Sequence, residues 1–181
     1  MHKDLENSII KECQQGDRMA QETLVRQFEK PVFNAAYRML GNVDDAADVT
    51  QTAFLKVFEN IGSFDARFRV YSWIYRIALN EAIDQIKRRR PTEPFGDSRS
   101  RSTDVPYENV ARRELCDEVQ ATLMELKEDY RAVIVLRYFT ECSYREIGEI
   151  LHLPEKTVKS RLFSARQQLR TQLQQHGILS S

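Results

Sequence analysis

Lys156, Lys159, Ser160, Phe163 and Gln167, with Thr157 and Arg166 beside them, place cations, hydroxyls, an amide and one aromatic on the outer side of a helix. They form no nucleophile-base constellation. They contact phosphates and base edges in a major groove. Val158, Leu162, Ala165 and Leu169 recur at four, three and four residues, so they form the buried stripe opposite. Ser143 and Glu146 make a capping box that starts a shorter helix with Ile147, Ile150 and Leu151 facing inward, and Pro154 stops it and starts the next. The segment reads as a helix-turn-helix. A solvated helical hairpin has the same periodicity, but an exposed Phe163 among basic residues and a tight joint favour DNA.

A second constellation lies upstream in GSFDARFRVYSW, where Ser63 is followed by Phe64, Phe68 and Tyr71 interleaved with Arg67 and Arg69. This mixture can stack unpaired bases while holding their backbone. In the helix expected from about Ser72 to Arg89, Arg76, Asn80, Asp84 and Lys87 share one polar strip, and Trp73, Ile74, Ile77 and Ala78 face the core. Lys87, Arg88, Arg89 and Arg90 suit either a solvated helix end or phosphate contact. Asp45, Asp48, Gln51 and Thr52 give the preceding helix a polar, acidic surface, with Phe54 as an apolar residue on it. Such a surface is either merely solvated or a contact for a partner.

The elements positioning these groups all have helical periodicity, and no alternating strand-like run appears. The fold class expected is all-α. One helix should run from about Asp4 to Gln15, a second should be capped by Asp17, and Pro31 should open a third that ends at Gly41. A fourth should run from Asp44 to Asn60. Residues 91–106, PTEPFGDSRSRSTDVP, offer almost nothing to bury and read as a linker between helical domains at 1–90 and 107–181. In the second domain Leu115, Val119, Leu123 and Leu126 form a stripe, and Tyr130 to Phe139 a further apolar helix.

Bulk composition narrows the function. Among 181 residues, 27 basic side chains balance 27 acidic ones, an unusual ratio for a protein gripping duplex DNA unaided. Something larger should assist it. Cys13, Cys116 and Cys142 are odd in number and far apart, which suggests neither a disulfide framework nor a metal site and fits a reducing cytoplasm. No apolar run reaches spanning length, MHKDLENS lacks a signal-peptide core, and no glycine-rich phosphate loop or nucleophile-base arrangement occurs. No enzyme activity, cofactor, metal or small-molecule substrate is expected.

Taken in order, DDAADVTQTAFLKVF, SFDARFRVYSWIYRIALNEAIDQIKRRR and LKEDYRAVIVLRYFTECSYREIGEILHLPEKTVKSRLFSARQQL resemble the extracytoplasmic-function group of the sigma-70 family over nearly the whole chain. The resemblance implies a first domain that binds core RNA polymerase and the −10 promoter element, and a second that reads the −35 element. It implies that Asp48, Gln51 and Phe54, with Asp45, meet the polymerase clamp. Phe64 and Asn80 would capture an unstacked −10 base, with Ser63, Arg67, Tyr71, Arg76, Lys87 and Arg88 around them. Lys159, Ser160 and Phe163, with Lys156, Thr157 and Arg166, would enter the −35 groove. It also implies an anti-sigma partner, either soluble or membrane-anchored. Several positions depart from the family pattern: Ala47 replaces a usual Glu, Lys127 a usual Pro, Val70 an aromatic, Ser164 an Arg, Gly148 an Ala, and His152 the turn glycine. His152 must then adopt a left-handed backbone. A free-standing helix-turn-helix regulator is the alternative reading, and it leaves the aromatic loop without a task.

Overall fold

The computed structural model describes residues 2–89 and 110–179, with side chains for 5–89 and 115–179. The proposed linker at 91–106 lies outside these. Every regular element described is helical: α1 (His2–Gln14), α2 (Arg18–Leu40), α3 (Val43–Glu59), a 3-10 turn (Ile61–Ser63), α4 (Val70–Arg89), α5 (Val110–Glu125), α6 (Glu128–Ile134), a π-turn (Val135–Phe139), α7 (Tyr144–Leu151) and α8 (Glu155–Gln175).

Local chemistry sets most boundaries. The Asp17 carboxylate accepts from the Met19 and Ala20 amides to start α2, and the Asn42 side chain accepts from the Asp45 amide to start α3. Gly41 closes α2 at φ 71°, a left-handed backbone that costs glycine nothing, with its amide bonded to Tyr37 O at 2.8 Å. Pro31 does not open a helix; it sits inside α2. A mid-helix proline costs about 3 kcal/mol, but Phe28, Val32, Ala35, Ala36 and Met39 continue one buried stripe through it. Each large apolar side chain so buried contributes roughly 1.5–3 kcal/mol, so packing outweighs the local preference. The apolar segment from Tyr130 to Phe139 is likewise not one regular helix, because α6 widens into the π-turn after Ile134.

In the N-terminal half, α2, α3 and α4 pack around Val32, Met39, Val49, Val57, Ile74 and Leu79, with α1 laid on α2 through Ile10 and Cys13. In the C-terminal half, α6, α7 and α8 enclose Leu136, Ile147, Ile150, Val158 and Leu162. Leu115 departs from its expected core stripe and is exposed. The halves share a seam, α2 against α5 and α4 against α7, so the buried apolar residues form one continuous cluster.

Ser143 and Glu146 form the capping box on α7, and His152 ends that helix at φ 54°, in the left-handed region its place required. Gly148 owes its identity to this joint. A Cβ there would stand 2.6 Å from the Leu153 carbonyl oxygen, a backbone atom that cannot swing aside. Gly148→Ala would gain about 1 kcal/mol of helix propensity but meet an overpacking cost of about 1–3 kcal/mol. The variant should therefore be less stable than the parent in urea unfolding, and equal or greater stability would show that the joint can relax.

Candidate nucleic-acid and polymerase interfaces

α8 presents its two faces as the periodicity requires. Val158, Leu162 and Ala165 are buried, whereas Lys156, Lys159, Ser160, Phe163 and Arg166 are exposed and Thr157 is half-buried. Phe163 keeps 60 % of its surface accessible, although burial would be the favourable outcome for a phenyl ring. Lys159 is held by Glu155 at 3.1 Å and lies 5.9 Å from the Tyr144 ring centre, while Ser160 Oγ donates to Thr157 O at 3.0 Å. Both polar groups therefore have exchangeable local partners, and such a face can trade them for a nucleic acid.

The aromatic loop is more constrained than its composition suggests. Phe64 is half-buried, set edge-on to Trp73 with centroids 5.3 Å apart, and Ser63 and Arg67 are exposed, Arg67 clasping Asp65. Phe68 is the more accessible ring of the loop. Tyr71 is half-buried at the head of α4, with the Arg69 guanidinium over its ring and its hydroxyl donating to Glu146 of α7. Burial first and the Glu146 carboxylate second push the Tyr71 phenol well above its ordinary range, so it remains a proton donor. Burial also lifts the Tyr75 phenol to about 12 and the Cys142 thiol to about 11, which makes that buried thiol inert. Along α4, Arg76 is half-buried and Asn80, Asp84, Lys87 and Arg88 are exposed. Asn80, Asp84 and Lys87 line a cleft of about 280 Å³ whose other wall is Asp129, Ala132, Leu151 and Arg161.

The acidic helix needs correcting at two positions. Asp45 is buried and paired with Arg89 of α4, and Phe54 is buried against the core with its ring 6.4 Å from Phe58. Both face inward because α3 packs on α2 and α4 along that stripe. Asp48 and Gln51 are exposed, and Leu55, one turn further along, is an accessible apolar neighbour. Periodicity alone could have found this: Leu55 shares a face with Asp48 and Gln51, and Phe54 shares one with Val57. The cationic run also proves less free than expected. Arg88 reaches Glu81 at 2.9 Å, and Glu81 also binds Lys56. The Lys56 contact, followed by Arg88, outweighs desolvation and holds the Glu81 carboxyl below its ordinary value.

Among the described residues no His, Cys, Asp and Glu cluster could hold a metal, and no helix is long and apolar enough to cross a membrane. The family profile "Sigma-70 region 2" matches residues 24–92, and that for "Sigma-70, region 4" matches 116–169. The chain belongs to the sigma-70 family, in its extracytoplasmic-function group. It is 37 % identical to the ECF RNA polymerase sigma factor SigW of Bacillus subtilis over 91 % of this chain and 94 % of that one. The solved structure of CnrH in complex with the cytosolic domain of CnrY aligns at TM-score 0.74 and 27 % identity, over 93 % of this chain and 97 % of that one. RpoE of Bartonella quintana, solved with the anti-sigma factor NepR, shares the fold at TM-score 0.65 and 20 % identity, over 84 % of this chain and 96 % of that one. A sigma factor is a transcription-initiation subunit and not an enzyme; the polymerase makes the bonds.

The polymerase contact that the resemblance implies for Asp48, and the burial of Asp45, give two expected outcomes. Asp48→Arg should weaken assembly with core polymerase by about tenfold, about 1.4 kcal/mol, with unchanged thermal unfolding, whereas Asp45→Asn should lower stability by about 1 kcal/mol and leave that affinity alone. Titration of each variant against core enzyme decides between these faces. A carboxyl held low, like that of Glu81, contributes stability that is present above its unfolded value near 4.5 and lost as pH falls through the folded value. Urea unfolding followed from pH 7 to 3 should thus show a loss below about pH 4.5 that is smaller in Glu81→Gln, and parallel curves would remove this pair from the acid response.

Proposed function

We propose that this sigma factor anchors on core polymerase through Asp48, Gln51 and Leu55 of α3, captures a −10 base with the aromatic loop and α4, and enters the −35 groove with α8. The observation that carries this reading is Asn80 standing exposed on α4, the helix that begins with Tyr71 in its first turn and directly follows the loop that holds Phe64 and Phe68. Pulling a base from the stack costs a few kcal/mol, and an aromatic platform returns about 1–3 kcal/mol by stacking. The Asn80 amide adds a donor and an acceptor for a base edge, which supplies base preference. Ser63, Arg67, Arg76, Lys87 and Arg88 surround that strip as backbone contacts, Arg88 after exchanging Glu81 for a phosphate. On α8, Lys156, Thr157, Lys159, Ser160, Phe163 and Arg166 form the −35 face.

The domain division is 1–90 and 107–181 about a linker at 91–106, supported by two separate family regions, one matched at 24–92 and the other at 116–169. The factor works in the cytoplasm, where its polymerase is. Its regulator is an anti-sigma protein, a reading supported by the relative solved with a cytosolic domain seated on it.

Asn80→Ala should lower open-complex formation and loosen base choice at one −10 position, while binding through the −35 element persists. Lys159→Ala should instead weaken −35 binding, evenly across sequences if it meets phosphate and by about 1–3 kcal/mol at one position if it reads a base. Permanganate reactivity on duplex and pre-melted templates, run beside a promoter-variant binding scan, measures both. Normal opening of every template by Asn80→Ala with unaltered base preference would return α4 to a solvated face.

A further inference from the structure

Helix α1 lies before the stretch that the region 2 profile matches, which begins at residue 24 inside α2, and its polar contacts lead to the aromatic loop. Glu6, Ile10, Cys13 and Gln14 share one face at helical spacing. Ile10 and Cys13, each 2 % exposed, seal that face into the core and make α1 a fixed body on α2. The polar residues at its two ends hold the loop. Gln14 Nε2 donates to Ile61 O at 2.9 Å, where the loop begins. Glu6 Oε1 accepts from Arg69 Nη2 at 3.5 Å, where it ends.

These two contacts set the shape of what lies between. Gln14 and Glu6 stand eight residues apart, about 12 Å along the axis at about 1.5 Å per residue. Ile61 and Arg69 are also eight residues apart, and fully extended that chain would reach about 27 Å. Held by anchors closer together than half its reach, the loop must arch outward. Its crown is a turn in which the Phe68 amide donates to Asp65 O at 3.0 Å and the Arg67 amide to the Asp65 carboxylate at 2.9 Å. Ala66, Arg67 and Phe68 are exposed there. The crown bonds are local, so they keep the form of the turn and leave its height and tilt to the two feet.

Each foot is joined to an aromatic ring. Ile61 O also accepts from the Phe64 amide at 3.3 Å, so the carbonyl that Gln14 holds is the one that closes the turn into Phe64. Arg69 lays its guanidinium 5.1 Å from the Tyr71 ring centre. Moving either foot therefore carries a ring with it. The Glu6 and Arg69 pair has capacity to tighten, since Glu6 Oε2 and Arg69 Nε are buried and lack a hydrogen-bond partner among the described residues, and a second bond between them would complete a bidentate fork. Gln14, by contrast, is exposed. Its bond competes with water and adds little to global stability, so what it contributes is placement.

We propose that α1 is the brace of the base-capturing loop, with Gln14 and Glu6 as positioning residues for promoter melting. They act through Ile61 and Arg69 and touch no DNA themselves. The proposal rests on the reading of this loop as the −10 base site. A loop that samples other heights offers its rings in the competent position for only part of the time, and capture weakens by that fraction.

Gln14→Met keeps the length of the side chain and removes its donor, and Glu6→Gln removes the charge at the other foot. In the full chain, hydrogen exchange of residues 61–69 should quicken at least about threefold in either variant, with unchanged thermal unfolding. Holoenzyme carrying Gln14→Met should open a duplex promoter about threefold more slowly than the parent, the order expected for one net hydrogen bond, with equal affinity for core polymerase. The deciding template carries an abasic site in place of the −10 base at which Asn80→Ala loosens choice. With no base to seat, parent and variant should open that template at the same rate. An equal loss on both templates would make α1 a general support of the fold and overturn the proposal, as would unchanged loop exchange or unchanged opening of the intact promoter. Should Glu6→Gln unsettle the fold, Gln14→Met decides alone. A parent that opens intact and abasic promoters equally would overturn the −10 base reading instead, leaving loop exchange to decide whether α1 holds the loop.

Discussion

A buried guanidinium cannot be left without acceptors, and the way Arg131 meets that requirement organises much of the molecule. It cannot shed its proton at any physiological pH, so every direction in which it points must offer an oxygen. Four main-chain carbonyls at helix ends do so: Leu123, Met124 and Leu126 where α5 gives way to α6, and Met39 where α2 finishes. Terminal carbonyls of a helix lack an internal partner, and they carry the negative end of its dipole. One side chain thus satisfies the ends of two helices from opposite halves. Around it the seam is tight enough that a Cβ on Gly41 would have to displace the Met124 thioether.

The division of labour on either side of the seam follows from helix packing. α3 is gripped at both ends by ion pairs to α4, Asp45 with Arg89 and Lys56 with Glu81, and the outer face between them is left for Asp48 and Gln51. α4 has the harder position, since it is packed against α2 and α3 on one side and against α7 on another. What remains of its surface is the strip that includes Asn80. A helix so enclosed presents its polar residues at fixed angles, which suits base capture better than a mobile loop would.

Local signals were the legible ones. Ser143 with Glu146, the left-handed His152, Gly41 at the end of α2 and the two faces of α8 were readable because each depends on a few neighbouring residues. Where tertiary packing competes with local preference, reading failed. Pro31 looks like a helix start but is carried inside α2 by the buried stripe on both sides of it. Asp45 looks like surface acid because its partner Arg89 lies far along the chain. Phe54 was assigned by family position, while its periodicity with Val57 pointed inward. The packing of the two halves was illegible altogether, because no sequence periodicity reports which apolar faces meet across a linker.

The separation of duties on α8 has an evolutionary side. The residues that hold it, Val158, Leu162 and Ala165, touch nothing outside the protein, and those that project, such as Lys159, Ser160 and Phe163, add little to the core. Exchanges at exposed positions usually change stability by less than about 0.5 kcal/mol. With the joint fixed by Gly148 and the carbonyl it admits, the projecting side chains can be rewritten without moving the backbone that aims them. In the reading proposed for α8, a few surface exchanges would therefore change sequence preference while the core of the helix-turn-helix stays as it is.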